Sequence, residues 1–299
     1  MRMERITFEC EVITPMFLAG ADGKTPELRA PSLKGLMRFW WRALHGNLDL
    51  KQLREQEAQI FGTADEKIGR SKFSLRIIPD GELQAGEFQP LPHHTGKEDC
   101  FCSQKPKCRK GFSLFAVKPG MKFKIKITSL NEEILKKMEN LIKASLVLAG
   151  LGKRSRRGFG SVKISLIHAE KFNFDCPLQS ICDLLNQINP SFFEINDATL
   201  KSKFNSNCTF PYVQEIRIGK GKNLNYGDLL KKIGKSSHDH QSDYTGYARD
   251  GKRFASPVWV TVIQEKDQYL PIVTRLCNTL ASKLKNLDHS EEFIKDILE

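Results

Sequence analysis

A turn containing four glycines separates a helix-type segment from a strand-type segment in the middle of the chain. Residues 150–160 read Gly-Leu-Gly-Lys-Arg-Ser-Arg-Arg-Gly-Phe-Gly. Glycine admits positive φ angles and lets the backbone approach a ligand, successive N–H groups in such a turn can bind an anion, and guanidinium groups bind phosphate bidentately. We therefore predict a phosphate-binding loop whose contacts come from Gly150, Gly152, Lys153, Arg154, Arg156, Arg157 and Gly158.

The glycine spacing, G-x-G-x5-G-x-G, excludes two common phosphate-binding motifs. A dinucleotide-binding fingerprint follows a strand and precedes a helix, which is the reverse of the order predicted here, and a P-loop needs a Gly-Lys-Ser/Thr run at its end. The alternative is a solvated basic turn that binds nothing. The apolar segments on both sides favour a loop that is firmly held at its ends.

Positive charge is concentrated in two segments rather than spread along the chain. The 299 residues carry a formal net charge of +12, and neither residues 28–48 nor residues 141–169 contain an acidic residue. Clustered charge favours a polyanionic partner over a role in solubility alone. The composition therefore indicates nucleic acid as the partner.

Residues 27–42 alternate cations with aromatic side chains. Arginine neutralises phosphate, and tryptophan stacks on an unpaired base. We expect Trp40 in the core, whereas Trp41 suits a buried position and a base-stacking position equally well. A helix N-terminus near Ser32 would add free N–H groups for a phosphate. The predicted RNA contacts of this segment are Arg29, Lys34, Arg38, Trp41 and Arg42.

The order of predicted elements in the first half indicates an α+β fold. Period-two alternation predicts a strand at residues 6–12, and apolar periodicity predicts helices at 33–44, capped by Ser32, at 50–60, and at 131–148, capped by Asn131. Further strands are predicted at 73–78, 112–117, 121–128 and 162–168, with a polar insertion at 79–110. With one extra strand, this order matches the ferredoxin-like βαββαβ pattern.

The second half gives a weaker pattern of the same kind. Residues 169–208 are predicted to be mostly helical, followed by a strand at 212–218, a helix at 226–233, strands at 257–264 and 269–278, and a helix at 290–298. This order suggests a second, degenerate βαββαβ unit, although no sequence repeat supports it. The prediction is therefore tandem ferredoxin-like (RRM-like) domains, at residues 1–168 and 169–299.

The runs at residues 28–42 and 150–160 resemble motifs of the RAMP superfamily of CRISPR proteins. The run Pro-Ser-Leu-Lys-Gly-x-x-Arg-Phe-Trp-Trp-Arg-Ala is similar, more narrowly, to the first-numbered RAMP subunit of Cmr (type III-B) effector complexes, while the glycine loop is shared by RAMP proteins in general. The resemblance implies tandem RRM-like domains. It also implies binding of CRISPR RNA, with target RNA as a further candidate, inside a multi-subunit ribonucleoprotein that targets RNA.

The same resemblance implies a place and a role in that assembly. The first-numbered subunit lies near the 3′ part of the guide, beside another RAMP subunit. Target cleavage in the family belongs to a different, repeated subunit. The resemblance therefore implies a chain that binds CRISPR RNA through its glycine loop and its 29–42 segment without cutting it.

Two enzymatic functions are the alternatives. An RNA-processing endoribonuclease of the same superfamily needs a general base near the basic helix, and His45 is the only histidine nearby in sequence. A histidine at a helix C-terminus is also favoured by the helix dipole, which gives His45 a structural explanation. A phospholigand-dependent enzyme ranks last, because the chain offers no convincing carboxylate pair or nucleophile–base arrangement.

The insertion holds the densest group of potential metal ligands, His93, His94, Cys100, Cys102 and Cys108. Zinc binds such residues, but the C-x-C-x5-C spacing contains no C-x2-C pair. A zinc clip and a loop with surface thiols both remain open, and we assign no cofactor. A second group, His238, Asp239, His240 and Asp243, is more simply interpreted as a solvated loop.

The remaining cysteines and the chain's hydropathy indicate the compartment. The eight cysteines show no paired framework, which is typical of free thiols in a reducing cytoplasm. No apolar run approaches the length of a membrane span, and the N-terminus lacks a signal-peptide core. We therefore expect a cytoplasmic protein.

Overall fold

Two antiparallel sheets, with helices between them and outside them, form the described part of the chain. The computed structural model describes residues 3–64, 67–94, 111–172, 177–204, 210–220, 224–242, 244–249, 252–277 and 290–299. The strands are β1 (Glu4–Val12), β2 (Phe73–Pro79), β3 (Ala85–Phe88), β4 (Leu114–Val117), β5 (Lys122–Ser129), β6 (Val162–Ile167), β7 (Glu170–Lys171), β8 (Phe193–Asn196), β9 (Thr199–Ser202), β10 (Val213–Ile218), β11 (Tyr247–Arg249), β12 (Lys252–Phe254), β13 (Val258–Glu265) and β14 (Gln268–Leu276). The helices are α1 (Ala30–Ala43), α2 (Leu50–Phe61), α3 (Glu132–Leu148), α4 (Pro177–Ile188), α5 (Tyr226–Asp239) and α6 (Ser290–Leu298), and a 3₁₀ turn spans Ser155–Arg157.

Local sequence signals explain how the helices of the first half begin. Asn131 caps α3 as predicted, because its side chain accepts a hydrogen bond from the Ile134 N–H. The prediction for α1 was wrong by one turn. The helix begins at Ala30 with Arg29 at the N-cap position, and Ser32 lies inside its first turn. Pro31 explains the shift, since proline has no N–H to lose in a first turn.

The first sheet has the strand order β2-β5-β1-β6-β7. Alternation in β1 buries Ile6, Phe8, Cys10 and Val12 beneath α1 and α3, which lie on one face of the sheet. Along the chain, β3 and β4 lie between β2 and β5, and they form a separate two-stranded hairpin. The predicted order of strand, helix, strand, strand, helix, strand is confirmed for β1, α1, β2, β5, α3 and β6.

The second sheet has the order β13-β14-β10-β9-β8, and its strands β13 and β14 are buried on both faces over much of their length. In β13, Val258, Val260 and Val262 pack with α5 and α6, whereas Trp259 belongs to the core shared with α1 and α3. The layers therefore run first sheet, helices α1, α3 and α4, second sheet, helices α5 and α6. Both halves contribute to one core, and the division at residue 168 stays a prediction.

The second half departs from its prediction in two places. Only α4 is helical between residues 177 and 204, and β8 and β9 follow it as a hairpin turning at Asp197 and Ala198, both in the left-handed region. Helix α5 continues through Asp239, so His238 and Asp239 lie in a helix rather than in a solvated loop. The predicted pairing of the last two strands is confirmed as β13 and β14.

Two predictions about the chain's chemistry concern the described residues. Cys10 and Cys182 carry buried free thiols, as predicted, and burial raises the pKa of both. Within the described ranges, no helix combines the length and the apolar character needed to cross a membrane.

Candidate nucleic-acid interface

The glycine loop, residues 150–160, is packed against protein backbone on its glycine side. A Cβ at Gly150 would overlap the carbonyl oxygen of Phe159, and one at Gly152, where φ is +93°, would overlap the backbone of Phe17. Gly158 lies against side chains of α5 and β13. These glycines therefore allow close packing inside the protein, and the prediction that they approach a ligand finds no support in their surroundings.

Several N–H groups of the loop are also used within the protein. Lys153 and Gly158 donate to the carbonyl oxygens of Phe17 and Val260 at 2.9 and 2.8 Å. An anion-binding concavity needs N–H groups that point to solvent. The N–H groups of Lys153 and Gly158 therefore do not belong to such a concavity.

Arg157 is buried, contrary to its predicted role as an RNA contact. Its guanidinium donates to the carbonyl oxygens of Thr245 at 2.6 Å and Val258 at 3.0 Å, and to the Ser237 hydroxyl at 2.7 Å. It also lies over the ring of Phe293. Burial, together with the neighbouring arginine charges, lowers the pKa of Arg157 to about 9. Arg157 therefore fastens the loop to the second half of the chain, since its donors are occupied.

Arg154 and Arg156 line a cavity of about 410 Å³ that opens beside the loop. Arg156 donates to the carbonyl oxygen of Ser256 at 2.8 Å, and its guanidinium lies 4.6 Å from the ring centroid of Trp259. Burial lowers the pKa of Arg154 to about 10 and also lowers that of Arg156. No carboxylate of the described residues pairs with either guanidinium. The described part of the protein therefore supplies no counterion for these two positive charges.

The arginines of α1, in contrast, share one carboxylate. Arg38 and Arg42 both pair with the buried carboxylate of Glu57 on α2, at 3.1 and 3.0 Å. Lys34 lies over the ring of Phe73, and burial, assisted by the charge of Arg38, lowers its pKa. These three predicted contacts therefore keep only part of their charge for an external anion.

Arg29 and Lys153 both contact the loop that precedes α1. The Nη1 group of Arg29 is 3.5 Å from the carbonyl oxygen of Ala19, and the Lys153 ammonium donates to the carbonyl oxygen of Gly23 at 3.2 Å. Lys153 is exposed and Arg29 is half-buried. The two predicted basic segments therefore meet at residues 19–23.

The aromatic residues of α1 differ from the prediction at one position. Trp40 is fully buried, as predicted, but Trp41 is only 4% exposed and stacks on the ring of His45 at 4.3 Å. Trp41 is therefore unavailable to a base. Phe39, which stands between Arg38 and Trp40 in the sequence, is half-buried.

Phe39 and Phe210 connect the two basic segments. The Arg156 guanidinium lies 6.0 Å from the ring of Phe39, whose centroid is 6.0 Å from that of Phe210. The Arg42 guanidinium lies 4.7 Å from the Phe210 ring. Two aromatic rings with a cation at each end thus form a row from the glycine loop to α1, and we call these four residues the cation–aromatic row.

His45 is held inside the protein. Its Nδ1–H donates to the carbonyl oxygen of Trp41 at 2.6 Å, one turn back along α1. Burial lowers the pKa of His45, and the hydrogen bond opposes this shift. The ring satisfies the C-terminal carbonyls of the helix, which is its predicted structural explanation, and it does not face the cation–aromatic row.

Two histidines of the predicted metal group lie in the same cavity as Arg154. His93 and His94 are joined there by His238 of α5, and their ligand nitrogens lie within 4.8 Å of one another. Cys100, Cys102 and Cys108 lie outside the described residues, as does Asp243. His240 pairs instead with Asp296 at 2.8 Å.

Comparison with known proteins identifies the family. The model of the RAMP superfamily matches residues 9–163, slightly more than half of the chain. The chain belongs to the RAMP superfamily. Within it, the chain groups with the first-numbered Cmr subunits. Cmr1-2 of Pyrococcus furiosus is 30% identical over an alignment 187 residues long, which covers 55% of this chain and 97% of that protein. Cmr1-1 of the same organism is 27% identical over an alignment 292 residues long, which covers 86% of this chain and 82% of that protein.

Solved structures of RAMP proteins share the fold of this chain. Apo Cmr1 of Pyrococcus furiosus aligns with a TM-score of 0.59 at 21% identity, over 92% of this chain and 88% of that one. A chain in the type III-B Cmr-beta complex bound to cognate target RNA and AMPPnP aligns with a TM-score of 0.61 at 12% identity, over 98% and 97% of the two chains. Such identities establish a common fold of antiparallel sheets and helices.

Proposed function

We propose that this RAMP protein is a non-catalytic, CRISPR RNA-binding subunit of a cytoplasmic type III-B (Cmr) ribonucleoprotein. Its relatives are named as Cmr subunits, and one structural neighbour belongs to a complex bound to target RNA. In that assembly it lies near the 3′ part of the guide, contacts another RAMP subunit, and has target RNA as a further partner.

The strand order supports a tandem ferredoxin-like architecture for this function. In the first unit, β2, β5, β1 and β6 are adjacent in that order and α1 and α3 cover one face. The second unit consists of β10, α5, β13, β14 and α6, and β9 occupies the edge where a closing strand would lie. Because β9 precedes β10 in the chain and takes the place of the closing strand, the order of elements in the sequence departs from the βαββαβ pattern. We place the units at residues 1–168 and 169–299.

The observation that carries the proposal is the pair of unneutralised guanidiniums, Arg154 and Arg156. A buried or half-buried charge is stabilised by a counter-charge, and the described carboxylates supply none here. A phosphate of the RNA backbone fits this pair in charge and in geometry. The proposed interface consists of Lys153, Arg154, Arg156, Arg29 and the cation–aromatic row, with Lys34 and Arg38 at its margin.

The endoribonuclease alternative loses its candidate base. A general base must reach the hydroxyl whose proton it takes, whereas the His45 ring is stacked on Trp41 and bonded to its carbonyl oxygen. Pure protein incubated with CRISPR repeat RNA should leave it intact. Cleavage that disappears in His45→Ala would support the nuclease instead.

Salt-dependent binding tests the interface. We compare the parent with Arg154→Gln/Arg156→Gln, using fluorescence anisotropy of labelled CRISPR RNA over a series of salt concentrations. Each lost contact to a single strand lowers the slope of log K against log salt by about 0.7, so the double variant should lose about 1.4. The matched control is Arg76→Gln/Lys137→Gln, which removes the same charge from exposed positions on β2 and α3. Equal slopes in the two double variants would contradict the proposal.

A further inference from the structure

Three imidazoles from opposite halves of the chain meet in the cavity beside the glycine loop. His93 and His94 follow β3, and His238 lies in the last turn of α5. Their ring centroids are separated by 4.2, 5.4 and 5.9 Å, and one nitrogen of each lies within 4.8 Å of the others. His94 is only 1% exposed. Packing alone rarely places three basic rings with their nitrogens converging.

The cavity that holds this triad is also lined by Arg154, Arg156 and Arg157. Neutral imidazole is the form that donates a lone pair to a metal. A metal ion held by the three rings would need an anionic ligand beside it, because the guanidiniums add positive charge to the same cavity.

We propose that His93, His94 and His238 bind one zinc ion. Zinc takes three histidines at about 2.0–2.1 Å in a tetrahedral geometry, which places neighbouring ligand nitrogens roughly 3.4 Å apart. The three nitrogens lie within 4.8 Å of one another, so this spacing is the one to which zinc would draw them. Three histidine ligands leave the fourth position open toward the cavity, and the adjacent guanidiniums favour an anionic oxygen, such as hydroxide, in that position.

Helix α5 has a glycine at the position where the His93 ring packs against it. A Cβ at Gly234, one turn before His238, would overlap the ring of His93. A glycine inside a helix is less favourable than an alanine, so its presence in α5 needs a local reason. Room for the His93 ring supplies that reason.

Metal binding would fasten the segment after β3 to α5 and thereby to the glycine loop. Ser237 is the neighbour of His238 and accepts the hydrogen bond from Arg157 at 2.7 Å. The zinc ion is thus a structural tie beneath the proposed RNA interface. The zinc ligands differ from the proposed RNA contacts, although both groups of residues face the cavity that Arg154 and Arg156 line.

Metal content tests this site. Untagged full-length protein is stripped with a chelator, dialysed against zinc chloride and assayed by mass spectrometry, and a parallel sample is loaded with cobalt(II) chloride for visible absorption. We expect about one zinc per chain and the visible bands of tetrahedral cobalt. His238→Asn should weaken zinc affinity by at least about tenfold, since losing even an outer-shell partner has that effect.

Two further variants separate metal binding from folding. His240→Asn alters the same end of α5 without touching the triad and should retain its zinc. Gly234→Ala preserves every ligand and should weaken zinc binding by displacing His93, with the helical circular dichroism unchanged. A stripped parent that takes up no zinc, or a His238→Asn variant that binds zinc like the parent, overturns the proposal. RNA binding measured on the same samples reports on the proposed function separately.

Discussion

Arg156 and Arg157 are neighbours in the chain, yet they face different surroundings. Arg156 makes one hydrogen bond, to Ser256, and its guanidinium faces aromatic rings, whereas Arg157 is enclosed by carbonyl oxygens and a hydroxyl. A basic run in a sequence shows that cations are present but not which way a turn directs each side chain. The two arginines look alike in the sequence, but Arg157 has a structural role and Arg156 is a candidate RNA contact.

Arg157→Lys should destabilise the protein by about 2–4 kcal/mol in urea unfolding at neutral pH. Lysine keeps the charge in a buried position but cannot reproduce the planar fork that bonds Thr245 and Val258 together. Arg76→Lys on the exposed face of β2 is the control and should stay within about 0.5 kcal/mol of the parent. An Arg157→Lys protein as stable as the parent would mean that the guanidinium fork does not hold the loop.

His45 should make the protein less stable in mild acid. Its folded-state pKa lies below the unfolded value because burial disfavours the charged ring. The unfolded state therefore binds more protons below about pH 6.5, and stability falls as pH drops through that value. His45→Gln should lose less stability than the parent between pH 7.5 and about pH 5.5 in urea unfolding. An identical loss in both proteins would assign the acid sensitivity to other groups.

At the scale of elements, the glycines of α1 and of the glycine loop have different reasons to be there. Gly150 stands where a carbonyl oxygen of the protein occupies the place of a Cβ. Gly35 lies exposed within α1, and a Cβ there would meet nothing within 4 Å. Packing therefore requires a glycine at position 150, whereas no neighbouring atom in the structure requires one at position 35.

Gly35→Ala should stabilise the protein by about 0.5–1 kcal/mol. Alanine loses less backbone entropy than glycine when a helix forms, and no neighbour opposes its methyl group. Gly150→Ala should instead destabilise by about 1–3 kcal/mol, because the methyl group has no space. Thermal melts of the two variants beside the parent decide the matter. Destabilisation by Gly35→Ala would show that α1 needs a glycine there for another reason.

The sequence predicts the elements whose periodicity is simple. Alternation identifies β1, and the Asn131 cap with its apolar stripe identifies α3. The β8–β9 hairpin was missed because each strand has four residues and its turn uses Asp197 and Ala198 rather than glycine. The end of α5 was missed because Gly234 and two serines resemble a loop, although Ser236 is buried against α6. The three histidines were not grouped from the sequence, because His238 lies beyond the end of the predicted helix at residue 233.

The candidate interface was predictable in place but not in composition. Charge clustering located both basic segments, and the structure brings them together at residues 19–23 and along the cation–aromatic row. The sequence did not show that Glu57 pairs with the arginines of α1. Glu57 stands fifteen residues from Arg42 in a separate helix, so only the fold shows that it pairs with two arginines.

At the scale of the whole molecule, α3 lies between the two sheets and packs against both. It contacts β1, β5 and β6 on one side and β13 and β14 on the other. Trp40 of α1 touches Trp259 of β13, with ring centroids 5.4 Å apart. The two proposed ferredoxin-like units therefore share buried apolar surface, which is the main source of cooperativity between parts of a protein.

This arrangement predicts a single unfolding transition. All three tryptophans of the chain, Trp40, Trp41 and Trp259, belong to the shared core, so their emission reports on the junction between the units. Far-UV circular dichroism reports on helices throughout the chain. In urea, the red shift of tryptophan emission and the loss of ellipticity should coincide, because separating the units would expose the seam of α3 and Trp259 to water. Trp259→Ala, which removes the contact from the second sheet, should destabilise by about 3–5 kcal/mol and shift both signals together. If emission changed first and half of the ellipticity survived to higher urea, residues 1–168 and 169–299 would be independently stable, and the α3 seam would be an interface between domains rather than a common core.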